Sequence, residues 1–192
     1  MEQLKINSKT LSEVISKCKK ADTLAQEVLF RFFAPKILTT CRRYELPDFG
    51  AEDILHETFI IVFKKIKQFD ESKGTIEVWI RRIAINVALK FMRDKKIQIT
   101  ESEDYLLNFT EVEDISDITQ LSVRAILDII KILPLGYRTV FNMYLIEGYT
   151  HEEIANYLGI STSTSMSQLS KAKKMVKNIL QSKNGKIRSI KM

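Results

Sequence analysis

The stretch from Gly148 to Ala172, GYTHEEIANYLGISTSTSMSQLSKA, constrains the fold more tightly than any other part of the chain. It reads as two short helices joined by a tight turn. Thr150 is placed to cap the first helix, and Glu153 follows at the spacing of a capping box. Ile154, Ala155 and Leu158 give that helix one apolar face. Gly159 ends it, because glycine takes left-handed backbone with no steric cost. Ser161 or Thr162 caps the next helix, whose apolar face is Leu169, Ala172, Val176 and Ile179.

Two helices across a short glycine-containing turn form a helix-turn-helix signature, in which the second helix enters the DNA major groove. The pattern also fits a helical hairpin in any all-α core. The outer face of the second helix favours DNA. Ser161, Thr162, Ser163, Thr164, Met166, Ser167, Gln168, Ser170, Lys171 and Lys174 are small, polar or basic, and Thr162 to Leu180 holds no acid. Ser, Thr and Gln bond base edges and Lys reaches phosphate. A merely solvated face usually mixes Glu with Lys.

The 192 residues allow one large domain or two small ones, and 45% apolar content is enough for real cores. With six glycines, three prolines and few period-two alternations, the fold class is all-α. Charge divides the chain further. Residues 1–97 carry 19 basic and 13 acidic residues, 98–119 carry seven acids and no base, and 120–192 carry 11 bases and four acids. Two basic units held apart by an acidic segment suit a polyanion partner, though a basic surface also serves solubility. Cys18 and Cys41 are too few for a disulfide framework or zinc site and read as reduced thiols of a cytoplasmic protein. The polar opening is no signal peptide, and no apolar run approaches the ~20 residues that span a bilayer.

In chain order, Leu11 to Lys20 reads as a short helix. Asp22 starts a second, with Leu24, Val28 and Phe32 on one line and Leu29 and Phe33 beside it. Pro35 predicts a kink or break before Ile37, Leu38, Cys41 and Tyr44. A third helix spans about Ala51 to Phe69, with Leu55, Phe59, Val62 and Ile66 as its core stripe. The polar loop Phe69 to Gly74 leads to a fourth helix, about Thr75 to Lys95. Arg82, Asn86, Lys90 and Arg93 form a polar stripe along it. Gln98 to Thr119 is a linker in which Tyr105, Leu106, Leu107 and Phe109 are available to dock. A helix with Val123, Ile126, Leu127, Ile130 and Leu133 opens the second unit. Pro134 starts another, with Tyr137, Val140, Phe141, Tyr144 and Leu145 inward. The basic tail from Ser182 is expected to fray.

Enzyme signatures are missing. There is no GxxxxGK, GxGxxG or nucleophile elbow, and His151-Glu152-Glu153 lacks the second histidine of a zinc-protease helix. His56 and His151 read as surface or cap residues. No metal site and no cofactor are expected.

Three segments in order resemble the extracytoplasmic-function (ECF) group of sigma-70-type RNA polymerase sigma factors. AEDILHETFIIVF resembles the polymerase-binding helix, GTIEVWIRRIAINVALKFMR the helix that melts and reads the minus-10 element, and LPLGYRTVFNMYLIEGYTHEEIANYLGISTSTSMSQLSKAKK the domain that reads the minus-35 element. The resemblance covers about Leu11 to Leu180. It implies residues 1–97 as sigma region 2, 98–119 as a linker and 120–192 as a four-helix region 4. It implies that Asp53, His56 and Glu57 meet the clamp helices of the polymerase β′ subunit. His56 stands where the family usually has Gln. For Asp53, a dipole-favoured acid at a helix start is the alternative.

Arg82, Asn86, Lys90 and Arg93 match the promoter-facing side of the minus-10 helix. Phe69 to Gly74, including Lys73, match the loop that captures a flipped base. Phe69 either stacks on that base or caps the core end beside Ile66. Met166 and Gln168 replace the usual Lys or Arg, so Gln168 is expected to read adenine and Met166 a thymine methyl. The acidic linker fits a basic polymerase channel or equally a solvated tether. The implied partners are core polymerase (β′ clamp helices and β flap), promoter DNA and an anti-sigma factor. A stand-alone helix-turn-helix regulator is the rival reading, and a nucleic-acid-modifying enzyme a weaker one.

Overall fold

The computed structural model describes residues 8–46, 49–94 and 123–189. The described residues form eight α-helices, in two units, Met1–Lys96 and Ile97–Met192. Gln98 to Thr119, with Tyr105, Leu106, Leu107 and Phe109, lies outside the described residues.

The first unit packs α1 (Ser8–Lys19), α2 (Thr23–Arg43), α3 (Ala51–Lys65) and α4 (Ile76–Asp94). Asp22 caps α2 by accepting the Ala25 N–H at 2.8 Å. The inward line of α2 is Ala25, Leu29, Phe33, Ile37 and Cys41, one residue along from the expected Leu24 line. Leu24 is 75% exposed. Both lines carry bulk, so spacing alone did not separate them. Of the kink or break expected at Pro35, the break does not occur: α2 runs through the proline. A helix-interior proline costs about 3 kcal/mol. Ile37, Cys41 and Tyr44, all beyond it, are buried, and full burial contributes roughly 1.5–3 kcal/mol for a large apolar side chain. Packing therefore outweighs the lost hydrogen bond.

Ile54, Leu55, Phe59 and Val62 of α3 enter the core, and the Phe59 ring meets Phe30 of α2 edge-on at 4.8 Å. The helix ends earlier than expected, passing at Ile66 into a 3-10 turn, Ile66–Gln68. A second short turn, Glu71–Lys73, precedes α4. Ile76, Ile80, Ala84, Val87 and Ala88 of α4 are buried.

The second unit holds α5 (Val123–Ile132), α6 (Leu135–Phe141), α7 (His151–Leu158) and α8 (Thr162–Ser189). Between α6 and α7 the chain widens into a π-helical stretch, Asn142–Ile146, in which the Glu147 N–H reaches back five residues to the Asn142 carbonyl. The wider turn rotates the following side chains. Met143 is fully buried, while Tyr144 and Leu145, expected inward, are 36% and 43% exposed. The basic tail from Ser182 is helical as far as Ser189, where α8 ends. No proline follows Pro134 to interrupt it.

Candidate nucleic-acid interface

The helix-turn-helix starts at a complete capping box. Thr150 Oγ1 accepts the Glu153 N–H at 3.2 Å, and Glu153 Oε2 accepts the Thr150 N–H at 2.8 Å. Gly159 closes α7 with φ +67°, a conformation any side chain would strain. Ser161 then caps α8, its Oγ accepting the Thr164 N–H at 3.0 Å. The same oxygen lies 2.8 Å from the hydroxyls of Ser163 and Thr164, so these hydroxyls at the start of the helix hold one another.

Along α8, Ser161, Ser163, Met166, Ser170 and Lys171 are exposed, and Thr162, Thr164, Ser167 and Lys174 are half-buried. Met166 is 53% exposed, an apolar side chain presented to solvent. Gln168 departs from expectation: it is 1% exposed and faces inward. Ser165, Gln168, Leu169, Ala172 and Val176 form one buried stripe at helical spacing. The four-residue steps from Gln168 to Ala172 to Val176 carried that signal, and the polar amide masked it. An inward Gln168 has no reach to an adenine edge.

Two further residues fix the angle of α8. His151, the first residue of α7, brings Nδ1 to 2.9 Å from the Ser165 hydroxyl, and its ring stacks on Tyr144 at 4.4 Å. Desolvation, with the Lys173 cation second, holds its pKa below the usual imidazole value. The sequence reading makes His151 a surface or cap residue and gives Ser165 no role. Their pairing spans two helices and has no local signature.

In the first unit, the exposed residues between Trp79 and Arg93 of α4 are Arg82, Asn86, Lys90 and Arg93 and no others. One unbroken polar stripe with three cations thus stands clear of a buried helix. The loop before it is built differently from expectation. Phe69 is 4% exposed, with its ring 5.5 Å from Trp79, so it caps the core and is not free to stack on a base. The exposed rim is Asp70 to Gly74. Asp70 accepts from the Ser72 hydroxyl at 2.7 Å and the Ser72 N–H at 3.0 Å, which lowers its pKa. Lys73 lies 3.9 Å from the Asp70 carboxylate. Beneath the rim, Lys19 of α1 donates to the Phe69 carbonyl at 2.9 Å.

On α3, Asp53 and His56 are exposed and Glu57 half-buried, one turn apart on a common side. Asp53 Oδ2 accepts the Gly50 N–H at 2.9 Å and so also caps the helix start. Among the described residues no group of His, Cys, Asp and Glu is placed to hold a metal ion.

The sigma-70 region 2 model matches residues 29–97 and the sigma-70 region 4 model matches 123–176. The chain is 30% identical over 135 residues to the RNA polymerase sigma factor SigZ of Bacillus subtilis, covering 68% of this chain and 74% of that protein. It is 22% identical over 180 residues to the ECF RNA polymerase sigma-E factor of Haemophilus influenzae, covering 88% and 94% of the two. The chain belongs to the ECF group of sigma-70-family RNA polymerase sigma factors. This sigma factor also resembles the sigma factor RpoE solved in complex with the anti-sigma factor NepR from Bartonella quintana, at 16% identity and a TM-score of 0.49, over 81% of this chain and 96% of that one. As a sigma factor it directs promoter-specific transcription initiation by RNA polymerase. Its region 2 match contains the α4 stripe and the α3 face, and its region 4 match contains the helix-turn-helix. Helix α1 of the sigma factor lies ahead of both.

Proposed function

We propose that residues 1–97 grip core polymerase and hold the melted minus-10 element, that 98–119 form an acidic linker, and that 120–192 read the minus-35 element. The observation that carries this division of labour is the α4 stripe. Arg82, Lys90 and Arg93 offer three cations to phosphates around a central amide, Asn86. Cations hold the backbone while bases leave the stack and settle in protein pockets. Trapped bases shift the duplex equilibrium toward the open form, so melting draws on no ATP, metal or cofactor from this chain. On this reading the chain has no catalytic group.

The rim Asp70 to Gly74 takes the flipped base, with Lys73 on the adjoining phosphate. Asp53, His56 and Glu57 meet the β′ clamp helices, and region 4 sits on the β flap. On α8, Met166 supplies an apolar contact to a thymine methyl, and Ser163, Ser167, Ser170 and Lys171 hold the backbone and base edges. A cognate anti-sigma factor covers these surfaces until a signal releases them, an expectation resting on family membership. The cytoplasm is the proposed site of action. No helix of the described residues is long and apolar enough to cross a membrane.

Promoter-DNA binding with and without core polymerase tests the proposal. Tight duplex binding should require the core enzyme. Equally tight binding by the chain alone as a dimer favours the stand-alone regulator.

A further inference from the structure

We propose that Lys19 is a positioning residue for promoter recognition, holding the Asp70–Gly74 rim in the shape that accepts a flipped base. This rests on the assignment of that rim to the minus-10 element.

The rim is short, exposed and without a core of its own, so something beneath must fix it. Asp70 organises its interior through Ser72, but those bonds lie within the loop and tie it to no other element. Anchorage comes from α1. Lys19 Nζ donates to the Phe69 carbonyl at 2.9 Å, and the same ammonium lies 5.9 Å from the centre of the Phe69 ring. Ser12 Oγ lies 3.4 Å from Glu71 Oε1. Ser12 and Lys19 are two helical turns apart on one side of α1, with the buried Ile15 between them. Two side chains of one helix thus meet the loop at residue 69 and again at residue 71.

The chemistry at Phe69 suits a fixed point. Its ring is held against Trp79, so the backbone there is pinned on the side-chain side as well. A charge-assisted bond to the carbonyl is shorter and stronger than a neutral one. Gly74, at φ +142°, lets the chain turn away into α4. The rim is therefore suspended between an anchored residue and a glycine, and its approach angle is set at the anchored end. Lys19 is half-buried and its ammonium is engaged by the Phe69 carbonyl, so its assigned role is on the loop backbone.

The test uses holoenzyme reconstituted from core polymerase and full-length chain, transcribing a promoter library randomised across the minus-10 and minus-35 elements. The readout is the best-to-worst base ratio at each position. Lys19→Met keeps the apolar stem and removes the donor, Lys19→Arg restores a donor, and Lys73→Ala alters the rim directly. We expect K19M to flatten discrimination at the minus-10 positions that K73A also affects, by roughly five- to tenfold, about the weight of one base contact. Minus-35 ratios, core affinity and the salt slope of binding should stay unchanged, and K19R should recover the ratio. If K73A alters minus-10 preference and correctly folded K19M does not, Lys19 has no positioning role and the rim assignment stands. If neither variant alters it, the rim assignment fails and takes the proposal with it. An effect of K19M on positions that K73A leaves alone, or a reduced salt slope, overturns the proposal in favour of a direct contact. Should K19M fail to fold, Lys19→Ala takes its place: flattened minus-10 ratios with a wild-type salt slope support positioning, and wild-type minus-10 ratios in folded K19A overturn it.

Discussion

His151 Nδ1 lies 2.9 Å from the hydroxyl of Ser165, tying the first residue of α7 to the buried side of α8. Tyr144 stacks on the face of the same imidazole, so one ring joins the π-helical stretch, α7 and α8. This contact and the Gly159 turn both join α7 to α8.

His151 should give the second unit a pH dependence. Its folded pKa is lowered from the ordinary 6.5, first by desolvation and then by Lys173. Below about 6.5 the unfolded chain takes up the proton more readily than the folded one, so stability falls as pH drops from the unfolded toward the lower folded value, and is fully present above it. Thermal melting across that window should show the decline. His151→Phe, which keeps a ring on Tyr144, should remove the pH-dependent component. It should also cost about 1–3 kcal/mol by stranding the buried Ser165 hydroxyl.

Met166 and Gln168 should separate cleanly. Met166→Ala should change base preference at one minus-35 position with little change in melting. Gln168→Ala should lower stability by about 1–3 kcal/mol, as loss of a buried side chain with its polar contacts does, and leave the pattern of preference intact. Denaturant titration beside a minus-35 selection checks both.

On the α4 stripe, Asn86→Ala should reduce open-complex formation more than duplex binding, read by permanganate reactivity of melted thymines. Arg82→Ala should lower the salt slope of promoter binding by about one unit, the share of one phosphate.

Asp53 and Glu57 should fail for different reasons. Asp53 holds the Gly50 N–H, so Asp53→Ala should cost about 1 kcal/mol of stability, as other lost caps do. Glu57→Lys should leave melting unchanged and weaken core-polymerase binding, measured by co-purification.

The cysteines should be silent in the native protein. Burial pushes the Cys18 thiol up to about 11 and the Cys41 thiol up to about 12, so neither forms thiolate at pH 8. An alkylating reagent should label them only after denaturation.

Features written in local chemistry are legible in the sequence itself. The Thr150–Glu153 capping box, the left-handed Gly159 and the Arg82–Arg93 stripe each follow from residue type at fixed spacing. What was not legible depends on which of two plausible faces packs. The α2 line shifted by one residue because Leu24 and Ala25 both begin an apolar series. Tyr144 and Leu145 turned outward because a π-turn adds a residue that no composition announces. Gln168 packs inward although its polar amide marks it as a surface side chain. Lys19 and Phe69 stand 50 residues apart, and only the fold brings the ammonium to the carbonyl.

The central claim is that this one chain both engages RNA polymerase and selects where it starts. The most direct measurement is in vitro transcription by purified core polymerase on a promoter library, with and without the chain. The account predicts defined start sites that appear only when the chain is added, preceded by paired minus-35 and minus-10 sequences at constant spacing. Core polymerase that neither retains the chain nor gains any start site from it would contradict the account.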